Sequence, residues 1–223
     1  MYWIIFGVFT LVSLLVQRSL QSKFKRFSQI RLPNGMTGAD VAQKMLVENG
    51  INDVTVGMTH GTLTDYYNPV NKSVNLSDPV YGTCSVAAAA VAAHECGHAV
   101  QHAKGYVWLK LRSAMVPAVS ISSRVMMWVF LAGMLLLQFI NNPILLYIGI
   151  VLYAVTTLFS VITLPVEINA SKRALAWLKT ACITDATTQP QAESALKAAA
   201  YTYVVAALGS LATLFYYIGA LRR

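Results

Sequence analysis

The stretch from Ser85 to His102, SVAAAAVAAHECGHAVQH, places His94, Glu95 and His98 in the spacing H-E-x-x-H. Rich in alanine and free of proline, it predicts a helix. On a helix, residues four apart lie about 40° apart around the axis, so both imidazoles can reach one metal ion. Glu95 then projects nearby without having to ligate, where it can take a proton from a metal-activated water. The five residues before His94 are all Ala or Val. Unpaired polar groups are costly in such a helix, and metal ligation would compensate them.

A catalytic metal of this type takes three protein ligands and leaves a position for water, so a third ligand must come from elsewhere. The available groups are His60, His102, Glu167 and the cysteines Cys84, Cys96 and Cys182. His102 continues the same helix, and one straight helix cannot wrap three ligands around a tetrahedral ion, so packing or support of a ligand suits it better. Cys96 projects away from the two histidines, toward packing. Glu167 follows Pro165 at the head of EINASKRALAWLK, a helical stretch opened by a proline. Its carboxylate could face the metal helix or only complement the positive end of a helix dipole.

These residues have to be positioned by an unusually apolar chain. Of its 223 residues 56% are hydrophobic and 12% charged, the net charge is +8 and the mean hydropathy is +0.54. Ordinary soluble domains carry about 25% charged residues, and disordered chains are far less apolar. Three unpaired cysteines imply no disulfide framework and fit a reducing compartment.

Four membrane spans account for the apolar content: residues 1–17 as an N-terminal anchor, the two arms of a hairpin over 115–165 broken at Asn141, Asn142 and Pro143, and 201–223 at the C-terminus. Charges follow the first span and do not precede it, which argues for an uncleaved anchor. Arg124 complicates the first hairpin arm: either it snorkels, or Trp108 to Ser123 form a separate interfacial helix. The loops 17–114 and 166–200 then share one side and hold 14 of the 17 Lys and Arg residues. The positive-inside rule makes that side cytoplasmic, leaving Arg222 and Arg223 outside. The expected architecture is a mainly α membrane protein with a small cytoplasmic α+β catalytic lobe over 18–114 and a cytoplasmic helix over 166–200.

Within the lobe, Thr37 to Asn49 has a helical pattern, opened by Thr37 or Asp40 and closed by Asn49 and Gly50. Asp65 to Ser77 reads as a hairpin turning at Pro69 to Lys72. Its second arm, Ser73, Val74, Asn75, Leu76 and Ser77, is the candidate substrate-binding strand, since an exposed edge can pair with extended peptide. A purely structural hairpin accounts for the pattern equally well. The run from Arg18 to Arg31 interleaves Phe24 and Phe27 with five positive charges, which suits an anionic lipid surface better than nucleic acid.

Through DYYNPVNKSVNLSDPVYGTCSVAAAAVAAHECGHAVQHA and the later EINASKRALAWL, the chain resembles the bacterial YugP-like membrane zinc metallopeptidases, a family of gluzincin type, over most of its length. The resemblance implies Zn2+ as cofactor, His94, His98 and Glu167 as its ligands, and Glu95 as the catalytic carboxylate. One departure stands out: many relatives carry Asp four residues after the ligand Glu, where this chain has Ser171. Gln101, His102, Asn169 or Ser171 could orient the imidazoles.

The function expected is a zinc endopeptidase of the bacterial inner membrane, with its active site on the cytoplasmic face and a peptide or membrane-protein substrate. Its partners are then that substrate and the bilayer, with no nucleic acid. The alternative is a membrane scaffold or chaperone with a structural metal site, against which Glu95 argues, being adjacent to a ligand yet not one. His60, Tyr66, Tyr67 and Arg173 are candidates for stabilising an oxyanion.

Overall fold

The computed structural model describes residues 2–221, so the expected far-side location of Arg222 and Arg223 falls outside the described residues. Helix α1 (Tyr2–Phe27) leads into the lobe, which comprises α2 (Gly38–Glu48), β1 (Thr55–Thr59), β2 (Tyr66–Asn68), β3 (Ser73–Ser77), α3 (Asp78–Tyr81) and α4 (Val86–Ala103). Three long helices follow: α5 (Val107–Ile140), α6 (Ile144–Thr180) and α7 (Gln189–Leu221). Helices α1, α5, α6 and α7 are each long and apolar enough to cross a bilayer.

Helix α4 is the centre of the lobe. Ser85 caps it by accepting a hydrogen bond from the Ala88 amide at 3.1 Å, and the alanines behind that cap are fully buried. Small side chains let neighbours come close on every side: α2 packs on one face, α6 on another, and the sheet and α7 on the rest. Helix α2 starts at Thr37 in a capping box with Asp40 and ends at Asn49 before Gly50 at positive φ. Its Val41, Met45 and Leu46 join Val74, Leu76 and Leu178 in the core, where each large side chain contributes about 1.5–3 kcal/mol by burial.

Three expectations change. The sheet order is β1-β3-β2, with β1 parallel and β2 antiparallel to β3. The hairpin is therefore present, but Ser73, Val74, Asn75, Leu76 and Ser77 form the central strand. β1 pairs along its whole length, β2 pairs with Ser73 to Asn75, and the Ser77 amide donates to Asp65 Oδ1 at 2.7 Å. These residues do not provide the free edge that strand addition requires; β2 has one.

Second, Phe24 and Phe27 turn into the lobe core at 9% and 6% exposure, because α1 continues past the membrane and lays this face against the lobe. They are not lipid-facing. Third, α5 and α6 are continuous. The segment from Trp108 to Ser123 is part of one helix that carries Arg124 exposed on its surface. Pro165 lies inside α6, which costs the backbone bond its missing N–H would make but does not end the helix. Glu167 therefore sits mid-helix, and the helix-dipole reading has no N-terminus to act on. Between α5 and α6, Asn141 adopts the left-handed conformation and closes the hairpin. Gly149 on α6 lies under the Phe130 ring of α5, where an added Cβ would stand 3.0 Å from the ring.

Candidate metal centre

The site forms where α4 crosses α6. Gly97 makes that crossing possible: a Cβ there would lie 2.6 Å from the Ala170 carbonyl oxygen, closer than real Cβ contacts allow. With the backbones this near, Glu167, about one turn before Ala170, reaches the two histidines. His94 Nε2 is 3.3 Å and His98 Nε2 3.6 Å from Glu167 Oε2, and the three ligand atoms lie within 4.8 Å of one another. Ligands at about 2.0–2.1 Å from a tetrahedral zinc stand about 3.3 Å apart, so the spacing fits such an ion.

The surrounding hydrogen bonds fit as well. Glu167 is 2% exposed; its Oε1 accepts from Arg112 at 3.1 Å, while Oε2 is buried without a hydrogen-bond partner. A buried carboxylate oxygen left unsatisfied is costly unless something positive meets it. The Gln101 Nε2 donates to the Val166 carbonyl at 2.8 Å and to Asn169 Oδ1 at 3.0 Å, which leaves its Oε1 facing His98 Nδ1 at 3.1 Å. Oε1 can only accept, so Nδ1 carries the proton and the Nε2 lone pair points at the cluster. Asn169 is held in turn by Arg173 Nε at 2.8 Å. The Ser171 hydroxyl lies 3.1 Å from His94 Nδ1.

Glu95 is also buried, beside the three but outside the cluster. Burial pushes its carboxyl up to about 7, against the favourable pull of His94 and with the repulsion of Glu167 and Asp65. The Tyr67 backbone amide of β2 hydrogen-bonds this carboxylate. Asp65, raised by its own burial, ties the start of β2 to Ser77. A cleft of about 290 Å³ opens over these groups, lined by Tyr66, Tyr67 and Pro69 of the hairpin, Arg112 and Val116 of α5, Phe159 of α6 and Tyr203 of α7.

The structure thus brings His94, Glu95, His98 and Glu167 together, and Tyr66 and Tyr67 with them. His60 points to solvent and pairs with Asp78 at 3.6 Å, and Arg173 is engaged with Asn169. His102 Nδ1 bonds the Tyr67 hydroxyl at 2.8 Å and so supports β2 from behind. The buried Cys96 faces the Ala42 carbonyl of α2. The sequence reading missed Arg112 and Tyr203. Both lie on long apolar helices, and no spacing rule connects them to the histidines.

A family model described as "Putative neutral zinc metallopeptidase" matches residues 2–222. The chain is 40% identical over 207 residues, 93% of its length and 90% of the relative's, to "Putative membrane protease YugP" of Bacillus subtilis (strain 168). No solved structure matches the chain. Four membrane-length helices, a cluster built for one metal ion, and likeness along nearly the whole chain lead to one conclusion: this is a multi-pass membrane enzyme belonging to the YugP-like family of zinc metallopeptidases.

Proposed function

We propose that the protein is a zinc endopeptidase that hydrolyses peptide bonds at the cytoplasmic face of the bacterial inner membrane, with His94, His98 and Glu167 as the ligands and Glu95 as the general base. The observation that carries the reading is the buried Glu95 carboxyl beside, but outside, a three-ligand cluster at the floor of an open cleft. A structural site would be closed by a fourth protein ligand.

His94, His98 and Glu167 would hold a zinc ion, which when bound would supply an activated water and polarise the scissile carbonyl. Glu95, buried beside the ligands, takes the proton of the attacking water and delivers it to the leaving amine. The Tyr67 amide holds that carboxylate in place. β2, the edge strand in the cleft wall, receives the extended peptide through main-chain groups other than the Tyr67 amide, which faces Glu95. The Tyr203 side chain lies against Glu167 in the cleft wall, and Arg112 keeps Glu167 Oε1 engaged and so reserves Oε2 for the metal. The cytoplasmic orientation rests on the positive charge gathered on the lobe side of the spans.

The test is zinc content and peptide cleavage measured on one detergent-purified preparation. The expected result is close to one zinc per chain, with Glu95→Gln keeping the metal and losing at least about 100-fold in kcat. Full activity in Glu95→Gln would remove the general-base assignment. A native chain that fails to hold zinc would remove the site.

A further inference from the structure

Tyr67 is held twice by one helix. Its backbone amide donates to the Glu95 carboxylate, and its hydroxyl meets His102 Nδ1 at 2.8 Å, with the two rings 5.9 Å apart and tilted by 56°. Glu95 and His102 are seven residues apart on α4, so by helical geometry they share a face and stand about 10 Å apart along the axis. A tyrosine laid along that face reaches the first with its backbone and the second with the tip of its side chain. His102 does not line the catalytic cleft. Tyr67 lines both that cleft and a separate cavity of about 220 Å³, which it shares with Asp53, Lys72 and His102.

The strand register gives Tyr67 a second task. β2 pairs with β3 antiparallel, with Tyr67 opposite Val74. In such a ladder, residue pairs that exchange both main-chain hydrogen bonds alternate with pairs that exchange none. The Tyr67 amide is turned to Glu95, so Tyr67 and Val74 are a pair of the second kind, and the Tyr67 carbonyl also points away from β3. Tyr66 and Asn68 direct their main-chain groups to β3. Within β2 the acceptor left for an extended peptide is therefore the Tyr67 carbonyl. The residue whose amide steadies the base is the one whose carbonyl meets the substrate.

We propose that His102 is a positioning residue of the hydrolysis: by holding the Tyr67 hydroxyl it fixes the Tyr67 backbone, and with it the orientation of Glu95 and the seat of the peptide on β2. The inference rests on the peptidase reading and adds to it a residue that touches neither the metal ligands nor the substrate. β2 is three residues long and lies at the sheet edge, so its ladder alone restrains it weakly. A displacement of about 1 Å at such a strand is enough to misalign a catalytic group. A hydrogen bond that only stabilised the lobe would change the amount of folded enzyme and leave the rate per folded site as it was.

The test is steady-state peptide cleavage by the full chain with zinc in detergent, with kcat expressed per bound zinc, for Tyr67→Phe, His102→Ala, their double variant and His102→Asn. Tyr67→Phe and His102→Ala should each lower kcat per zinc at least about tenfold and raise KM at least about threefold, at unchanged zinc content. The double variant should lose no more than the larger single loss, because both substitutions remove the same bond. His102→Asn, whose amide stands where Nδ1 does, should recover at least about threefold of the lost rate. Lys72→Ala breaks the ion pair with Asp53 in the same cavity without touching the Tyr67 hydroxyl, and should stay within about twofold of the native rate. A native rate per zinc in Tyr67→Phe, or losses that simply multiply in the double variant, would overturn the inference and leave the peptidase standing. A zinc-loaded native chain that cleaves no peptide would overturn both.

Discussion

His94 and His98 stand one helical turn apart and face the same Glu167 oxygen, yet they are supported differently from behind. His98 leans on Gln101, which is fixed by the Val166 carbonyl and by Asn169, itself held by Arg173. His94 leans on the single Ser171 hydroxyl. A hydroxyl rotates freely and accepts only weakly, whereas an amide locked by two acceptors fixes both tautomer and ring orientation. The difference implies that His98 is the rigid anchor of the metal site and His94 the more adaptable ligand.

Substitutions can break or sharpen that contrast. Glu167→Ala removes the oxygen both imidazoles share, so it should abolish the contrast together with the metal, weakening zinc affinity by more than about 100-fold in a competition titration. Retained affinity would displace Glu167 from the ligand set. Gly97→Ala forces α4 off the Ala170 carbonyl and disturbs both histidines alike; thermal unfolding should show about 1–3 kcal/mol of destabilisation, and an unchanged Tm would mean that the crossing is looser than drawn. Gln101→Ala frees His98 and should cost about 10–100-fold in zinc affinity. Ser171→Ala should cost less than about tenfold, and Ser171→Asp should raise affinity by making the support of His94 ionic. If Ser171→Ala costs more than Gln101→Ala, the ranking of the two supports is reversed.

The same contrast marks how far the sequence could be read. His94, Glu95 and His98 were legible because one helix period relates them, and the four spans because about 20 consecutive apolar residues have few other uses. Ser171 and Gln101 could be named as candidate supports from local spacing, but which histidine each one holds depended on the α4–α6 crossing. Residues 73–77 were legible as a strand through their alternation but were misread as an edge. Their second partner, β1, pairs in parallel from well upstream, and alternation on one strand carries no information about how many neighbours flank it. Pro165 suggested a helix start because proline favours one, yet packing between α5 and α7 carried α6 through it. The aromatic pair Phe24 and Phe27 looked like a lipid-facing stripe until the lobe gave it a core to join.

What the sequence by itself determined about this protein is therefore local: the metal-binding helix, the membrane spans, the hairpin, and the uneven charge across the membrane. Each follows from periodicity or composition within some 20 residues. Only the tertiary structure decided which oxygen completes the cluster, that Arg112 and Tyr203 share its cleft, and that residues of α5, α6 and α7 line that cleft together with the hairpin. Those facts depend on where separate helices cross, and a crossing is set by close backbone approach at residues such as Gly97 and by the packing of side chains distant in the chain.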